Sequence, residues 1–303
     1  MTRPTRAQRP AKTPETSGRR RDWLGWLYIA PLVLVLVPFF LAPLLAVVAA
    51  SVFESDGFGG MTPALDLSNY WQVLTSDLTF NLYWSTAKFT FLTWLFSLII
   101  GFFVAYFLVF HVRNPLLGLG LFLLCTVPFW TSNIIRMISW IPLLGKQGLI
   151  NEALLKIGLI HEPLEFLLFS SFAVVVAYVH QLTIFMIVPI FNAMGRIDKR
   201  VVEAAIDAGA SRFDIMRLII VPLSKSGIAL GSIFVVSIVM GDFFVVKVMS
   251  GGGSASVVGA FYEDVGVLQY PKAAASAVIL TAVLMAAVGL ILRTVDIRRE
   301  ITR

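Results

Sequence analysis

Six runs of this chain are apolar for about twenty residues each, and only a lipid bilayer accommodates so many in one polypeptide. They occupy residues 24–50, 89–110, 116–135, 166–195, 228–248 and 273–292. A hydrocarbon core about 30 Å thick is crossed by about 20 helical residues. Inside it every backbone N–H and C=O must find a partner within the chain, which leaves helices for runs of this length. Composition agrees: 58% of the 303 residues are hydrophobic, against roughly 45–50% in a soluble domain. The expectation is an all-α membrane protein with six transmembrane helices. Five runs carry no Asp, Glu, Lys or Arg; the fifth holds Asp242 and Lys247.

Lys and Arg set the orientation, because cytoplasmic flanks retain positive charge. Arg19, Arg20 and Arg21 close a basic tail before the first run, Arg113 lies in the second link, and Arg196, Lys199, Arg200, Arg212, Arg217 and Lys225 fill the 196–225 link. Arg298 and Arg299 follow the last run. The opposite loops hold Arg136, Lys146, Lys156 and Lys272 beside acids such as Glu54, Asp66, Glu162 and Glu263. Both termini are therefore expected in the cytoplasm. The net charge of +6 reads as an orientation signal, and nucleic acid is not an expected partner. Residues 1–22 are expected as a disordered basic cytoplasmic tail beside the lipid surface, and residues 23–303 as the transmembrane domain. The first run exceeds the 7–15 residues of a signal core and reads as an uncleaved anchor. Outside, Ser68 is placed to cap a short interfacial helix bearing Tyr70 and Trp71, and 136–165 carries the spacing of an amphipathic helix. The run SGGGSASVVG reads as a flexible end to the fifth span.

One link is richer than a connector needs: VVEAAIDAGASRFDIMRLIIVPLS, residues 201–224. Asp198 is placed to cap a helix, and Gly209 to end it in the left-handed conformation. On that helix Val201, Ala204, Ala205 and Ala208 share a small, smooth face, opposite Arg200, Glu203 and Asp207. Ser211 and Asp214 have the spacing of a capping box for a second helix, which Pro222 stops or bends. Two short helices meeting at Gly209 make a cytoplasmic elbow.

Glu203–Ala204–Ala205, Gly209 four residues on and the apolar run ending at Pro222 resemble the EAA signature of inner-membrane permease subunits of ATP-binding-cassette importers. The WLYIAPL start of the first run, NYWQVL, and PFWTSNIIRMISWIPLLGKQGLIN from 128 to 151 resemble the spermidine/putrescine branch. The resemblance implies a type I importer permease fold in the bacterial inner membrane, with a coupling helix seated on a cytoplasmic ATPase dimer. It implies contacts to that ATPase from Glu203, Ala204, Ala205, Gly209 and Pro222. It also implies a second, non-identical permease subunit and an extracytoplasmic solute-binding protein, with ATP and Mg in the ATPase and no cofactor in this chain. Related branches carry phosphonates or iron.

The chain has no G-x-x-x-x-G-K-[ST] phosphate loop and no H-E-x-x-H metal motif, so it is not expected to be an enzyme or to hold a metal. An ion-coupled secondary transporter would need paired relay acids or broken half-helices near the midplane. Asp242 is the sole acid inside a run, and Lys247, about 140° around the helix, is poorly placed to pair with it. Three roles stay open for Asp242: an interhelical hydrogen bond, a charge at a mouth of the path, or a counter-charge for a cationic substrate. Trp130 and Trp140 are candidates to line the same path, where their faces attract an ammonium; packing is the plainer role. His180 is expected to hydrogen-bond between helices.

Overall fold

The computed structural model describes residues 22–56 and 58–294. Apart from Asp22, the expected tail lies outside the described residues, as do both termini. The chain divides into two compact units, residues 1–49 and 50–303.

The first unit carries α1, whose helical pieces Asp22–Leu36 and Ala42–Ala50 are joined by a π-turn at Val37–Leu41. Ala42 donates back to the Val37 carbonyl, and Pro43 follows at once. A proline ring strikes the carbonyl four residues before it. Here that carbonyl, of Phe39, sits inside the widened turn.

The second unit opens with an antiparallel ribbon, β1 (Glu54–Ser55) on β2 (Met61–Thr62). Then come α2 (Ser68–Thr75) and the 34-residue α3 (Asp77–Phe110). Asp66, not Ser68, starts α2: its Oδ1 accepts from the Ser68 N–H at 2.8 Å and its Oδ2 from the Ser68 hydroxyl at 2.6 Å. These two bonds hold the Asp66 carboxyl below the usual carboxylate range. The second run thus belongs to a helix that begins twelve residues before residue 89, because Ser76 caps it: the Thr79 N–H reaches Ser76 Oγ at 3.4 Å.

The third run is not one straight span. α4 (Pro115–Thr126) passes through a 3-10 turn, Val127–Trp130. The chain then turns by 94° into α5 (Asn133–Ile138), α6 (Ile141–Leu144) and α7 (Leu149–Lys156). The buried Asn151 side chain ties this outer segment together. Its Nδ2 donates to the Gly145 and Leu164 carbonyls at 3.0 and 3.2 Å, and its Oδ1 accepts from the Leu164 N–H at 2.8 Å. Lys146 and Glu165 clasp the rim at 2.6 Å, which raises the lysine's pKa and lowers the carboxylate's.

α8 (Ser171–Met194) is the axis of the unit, and packs along α3 and later α11. Beyond it lie the elbow helices α9 (Lys199–Asp207) and α10 (Arg212–Leu223), then α11 (Lys225–Met240), bent 66° from α10. The short α12 (Phe244–Met249), α13 (Val257–Gly266) and α14 (Tyr270–Arg293) complete the chain. The fifth run therefore ends at Met240, and Asp242 stands in the break that follows. The glycine run is no loose end: the Ser254 N–H donates to Ser250 Oγ at 3.2 Å, and Gly251 and Gly252 take φ of 60° and 84°.

In lipid, apolarity does not mark the buried side of a helix; small and weakly polar residues do. On α3 that side is Thr86, Thr90, Thr93, Ser97, Gly101 and Ala105, all buried. A Cβ at Gly101 would lie 2.8 Å from Met186 Cγ, and one at Gly231 of α11 would lie 2.7 Å from Met186 Sδ. α8 is wedged between two helices that each surrender a side chain to admit Met186. The Trp94 indole donates to Ser232 Oγ at 2.8 Å, binding α3 to α11 beside the wedge. Among the described residues four helices are long and apolar enough to cross a bilayer, or up to six if each bent pair counts as one.

Candidate functional site

The elbow forms as its residues dictate. The Arg200 N–H donates to Asp198 Oδ1 at 2.9 Å, which caps α9. At the other end Gly209 takes φ 84°, its N–H reaches the Ile206 carbonyl at 2.9 Å, and the Ala210 N–H reaches the Ala205 carbonyl at 3.0 Å. That is the Schellman closure, which requires a left-handed residue. No atom lies within 4 Å of a Cβ built at Gly209, so within this chain the need is for φ, not for space. The capping box is complete: the Ser211 N–H donates to Asp214 Oδ2 and the Asp214 N–H to Ser211 Oγ, each at 3.2 Å.

The expected smooth face is divided. Ala205 turns inward with Val202 and Ala210 against the main core. Val201, Ala204 and Ala208 remain exposed beside Glu203, which makes no ion pair among the described residues. Phe213, 68% exposed on the first turn of α10, enlarges the apolar surface, and nothing in its spacing marks it in the sequence.

Pro222 does not stop α10. A π-turn, Met216–Ile220, precedes it, with Val221 donating to the Met216 carbonyl, so the Leu218 carbonyl that the ring would strike is again inside a widened turn. The bend comes after Leu223. There the buried Ser224 hydroxyl donates at 2.7 Å to the Ile220 carbonyl, which also takes the Ser224 N–H at 3.0 Å, a back-bond of the kind that bends helices.

The three path candidates are not brought together. Trp130 ends its 3-10 turn 78% exposed. Trp140 donates from its indole N–H to His180 Nδ1 at 3.1 Å, with the rings edge-on at 5.5 Å; His180 thus bonds to the turn between α5 and α6 and not to a second helix. Asp242 Oδ1 accepts from the Phe244 N–H at 2.8 Å, starting α12, while its carbonyl accepts from Ser256 Oγ at 3.4 Å. Buried Tyr178 on α8 lies within electrostatic reach of that carboxylate, although among the described residues its hydroxyl has no partner of hydrogen-bonding geometry. Tyr178 and His180 are about 200° apart around α8, so Asp242 and Trp140 address opposite sides of it.

Arg136, counted from sequence among the loop charges, is buried at 7% exposure and donates to Asn133 Oδ1. Among the described residues its Nε and Nη1 have no hydrogen-bond partner. Lys247 sits exposed on α12 and lines a cavity of about 230 Å³ with Tyr262 and Glu263.

A helical membrane unit with a capped, solvent-facing elbow between its last apolar helices has the fold of importer membrane chains. A chain of a bacterial ABC transporter that imports the acidic polysaccharide alginate superposes with a TM-score of 0.71 at 17% identity, over 94% of this chain and 98% of that one. Residues 97–300 match the family of binding-protein-dependent transport system inner membrane components, and the chain belongs to that family. The Escherichia coli K12 spermidine/putrescine transport system permease protein PotB is 32% identical over 265 residues, covering 86% of this chain and 90% of the relative. Its Haemophilus influenzae counterpart is 32% identical over 224 residues, 74% of this chain and 77% of that one. The Thermococcus litoralis trehalose/maltose permease protein MalF is 27% identical over 239 residues, covering 77% of this chain and 79% of that one.

Proposed function

We propose that this importer permease carries polyamines such as spermidine and putrescine across a bacterial inner membrane, driven by a separate ATPase. The observation that carries the coupling half of this reading is the exposed elbow, whose Gly209 closure and Ser211 capping box are built without help from any partner. On it Glu203, Ala204 and Gly209 are the contacts for an ATPase dimer, with Ala205 and Pro222 shaping the elbow from behind. ATP and Mg belong to that dimer, and this chain hydrolyses nothing. Six crossings follow if 115–156 and 212–240 each count as one, with both termini cytoplasmic, 1–22 as a basic tail and 23–303 as the permease domain. A second, non-identical permease completes the path, and a solute-binding protein delivers the cargo outside.

The substrate half rests on the relatives named for spermidine and putrescine and on Asp242, a carboxylate at the break after α11 that suits an ammonium. Radiolabelled spermidine uptake into proteoliposomes, with and without the ATPase chains, tests both halves. Uptake is expected only with the ATPase and ATP. Uptake driven by an ion gradient without it would make the chain a secondary transporter, and preference for a phosphonate or iron would reassign the cargo.

A further inference from the structure

An apolar trough of about 520 Å³ runs between α3, α11 and α14, lined by Tyr83, Trp94, Val236, Met240, Val283 and Leu290 among others. Its size is that of a ligand cleft. Its walls stand on helices long and apolar enough to cross a bilayer, α11 as part of a bent pair, and their side chains offer almost nothing for a polar solute. At one end it continues, through the shared residues Trp94, Leu290 and Ile291, into a second cavity of about 330 Å³ that holds Lys225, Ser232 and Thr294.

That end differs in chemistry from the trough. Lys225 is exposed and forms no ion pair among the described residues. It opens α11, whose N-terminus no side chain caps, since Ser224 turns its hydroxyl back to the Ile220 carbonyl. A helix N-terminus and a lysine together favour a phosphate. Arg293 ends α14 next to Thr294, and each Lys or Arg near an anionic leaflet adds about 1 kcal/mol of attraction. The combination of an apolar channel and a cationic mouth matches one molecule, a phospholipid with an anionic headgroup.

We propose that α3, α11 and α14 form a binding site for an anionic phospholipid, with an acyl chain along Trp94 into the trough and the headgroup phosphate at Lys225. Lys225 lies directly after the 66° bend between α10 and α11, so the bound lipid fastens the base of the elbow to the last helix. The permease senses the charge of its membrane at the point where the elbow joins the bundle.

The test uses the assembled transporter in proteoliposomes containing phosphatidylglycerol with a photoreactive acyl chain, read by mass spectrometry of peptides. Adducts are expected on the segments carrying Trp94 and Leu290–Ile291. Lys225→Gln should lower them about five-fold, the factor worth one cation beside an anionic surface. Ala287→Trp, which fills the trough, should abolish them while phosphatidylglycerol outside the site still labels other helices. Inorganic phosphate should not compete, which separates the lipid from a free anion. Equal labelling by a phosphatidylcholine probe, or adducts unchanged in both variants, would show ordinary annular lipid and overturn the site. An unlabelled trough in wild type would mean that a protein helix fills it, which overturns the site equally.

Discussion

Gly209 and Asp242 are each a single residue whose backbone role can be separated from its functional one. At Gly209 the left-handed φ of 84° costs an L-residue about 1–2 kcal/mol. Gly209→Leu is expected to insert normally yet copurify with the ATPase about 5–30-fold less, the equilibrium worth of that strain. Copurification and ATPase stimulation both at wild-type level would remove the elbow from coupling. Asp242 offers the opposite convenience, because asparagine keeps the side-chain oxygen that accepts from the Phe244 N–H. Asp242→Asn therefore preserves the start of α12 and deletes only the charge. Assembly and basal ATP hydrolysis should persist while spermidine uptake falls about ten-fold or more, as a charge-assisted bond of about 1.5–3 kcal/mol requires. Unchanged uptake at matched protein levels would leave Asp242 a turn residue. The sequence exposed Asp242 as unusual because any acid in an apolar run is costly. It did not expose Tyr178, one aromatic among many, whose neighbour is some sixty residues away.

Among the elements, the helices of the elbow were legible almost bond for bond, because Asp198, Gly209, Ser211 and Asp214 act within four residues of themselves. The spans were legible as apolar mass and not as shape. α3 begins early through a serine cap; the third and fifth runs break after Trp130 and Met240, at Thr131, Ser132 and Asn133 and at Gly241 and Asp242, polar interruptions too short to pull a hydropathy average over about twenty residues below that of a span. The inner faces were hidden for a related reason: in a uniformly apolar helix they are marked by what is small. Gly227 tests that packing. A Cβ there would sit 2.4 Å from the Pro189 carbonyl oxygen and 2.6 Å from Ala193 Cβ, whereas Gly120 on α4 has nothing within 4 Å. Gly227→Val is expected to lower the melting temperature in detergent by an overpacking cost of about 1–3 kcal/mol. Gly120→Val should melt like the parent, and equal shifts for the two would argue against the wedge of α8 on α11.

For the molecule as a whole, orientation remains the property on which cargo direction, ATPase access and binding-protein access all depend. The chain has one cysteine, Cys125, so a Cys125→Ser background allows single reporters. Ala208→Cys on the elbow should react with a membrane-impermeant maleimide only when the cytoplasmic side is open, and Lys156→Cys on α7 only from the outside. Labelling of both from one side would overturn the six-crossing arrangement. Within it, and under the proposed coupling, the 66° bend at Ser224 would act as a bell crank. A thrust delivered along α10 from below arrives at α11 more sideways than lengthwise, and sideways travel parts a wall, whereas lengthwise travel would only push a rod through it. If the proposed coupling holds, the transporter would need no long stroke from its motor, since a short shove at the elbow would already be turned toward the direction in which a passage must widen.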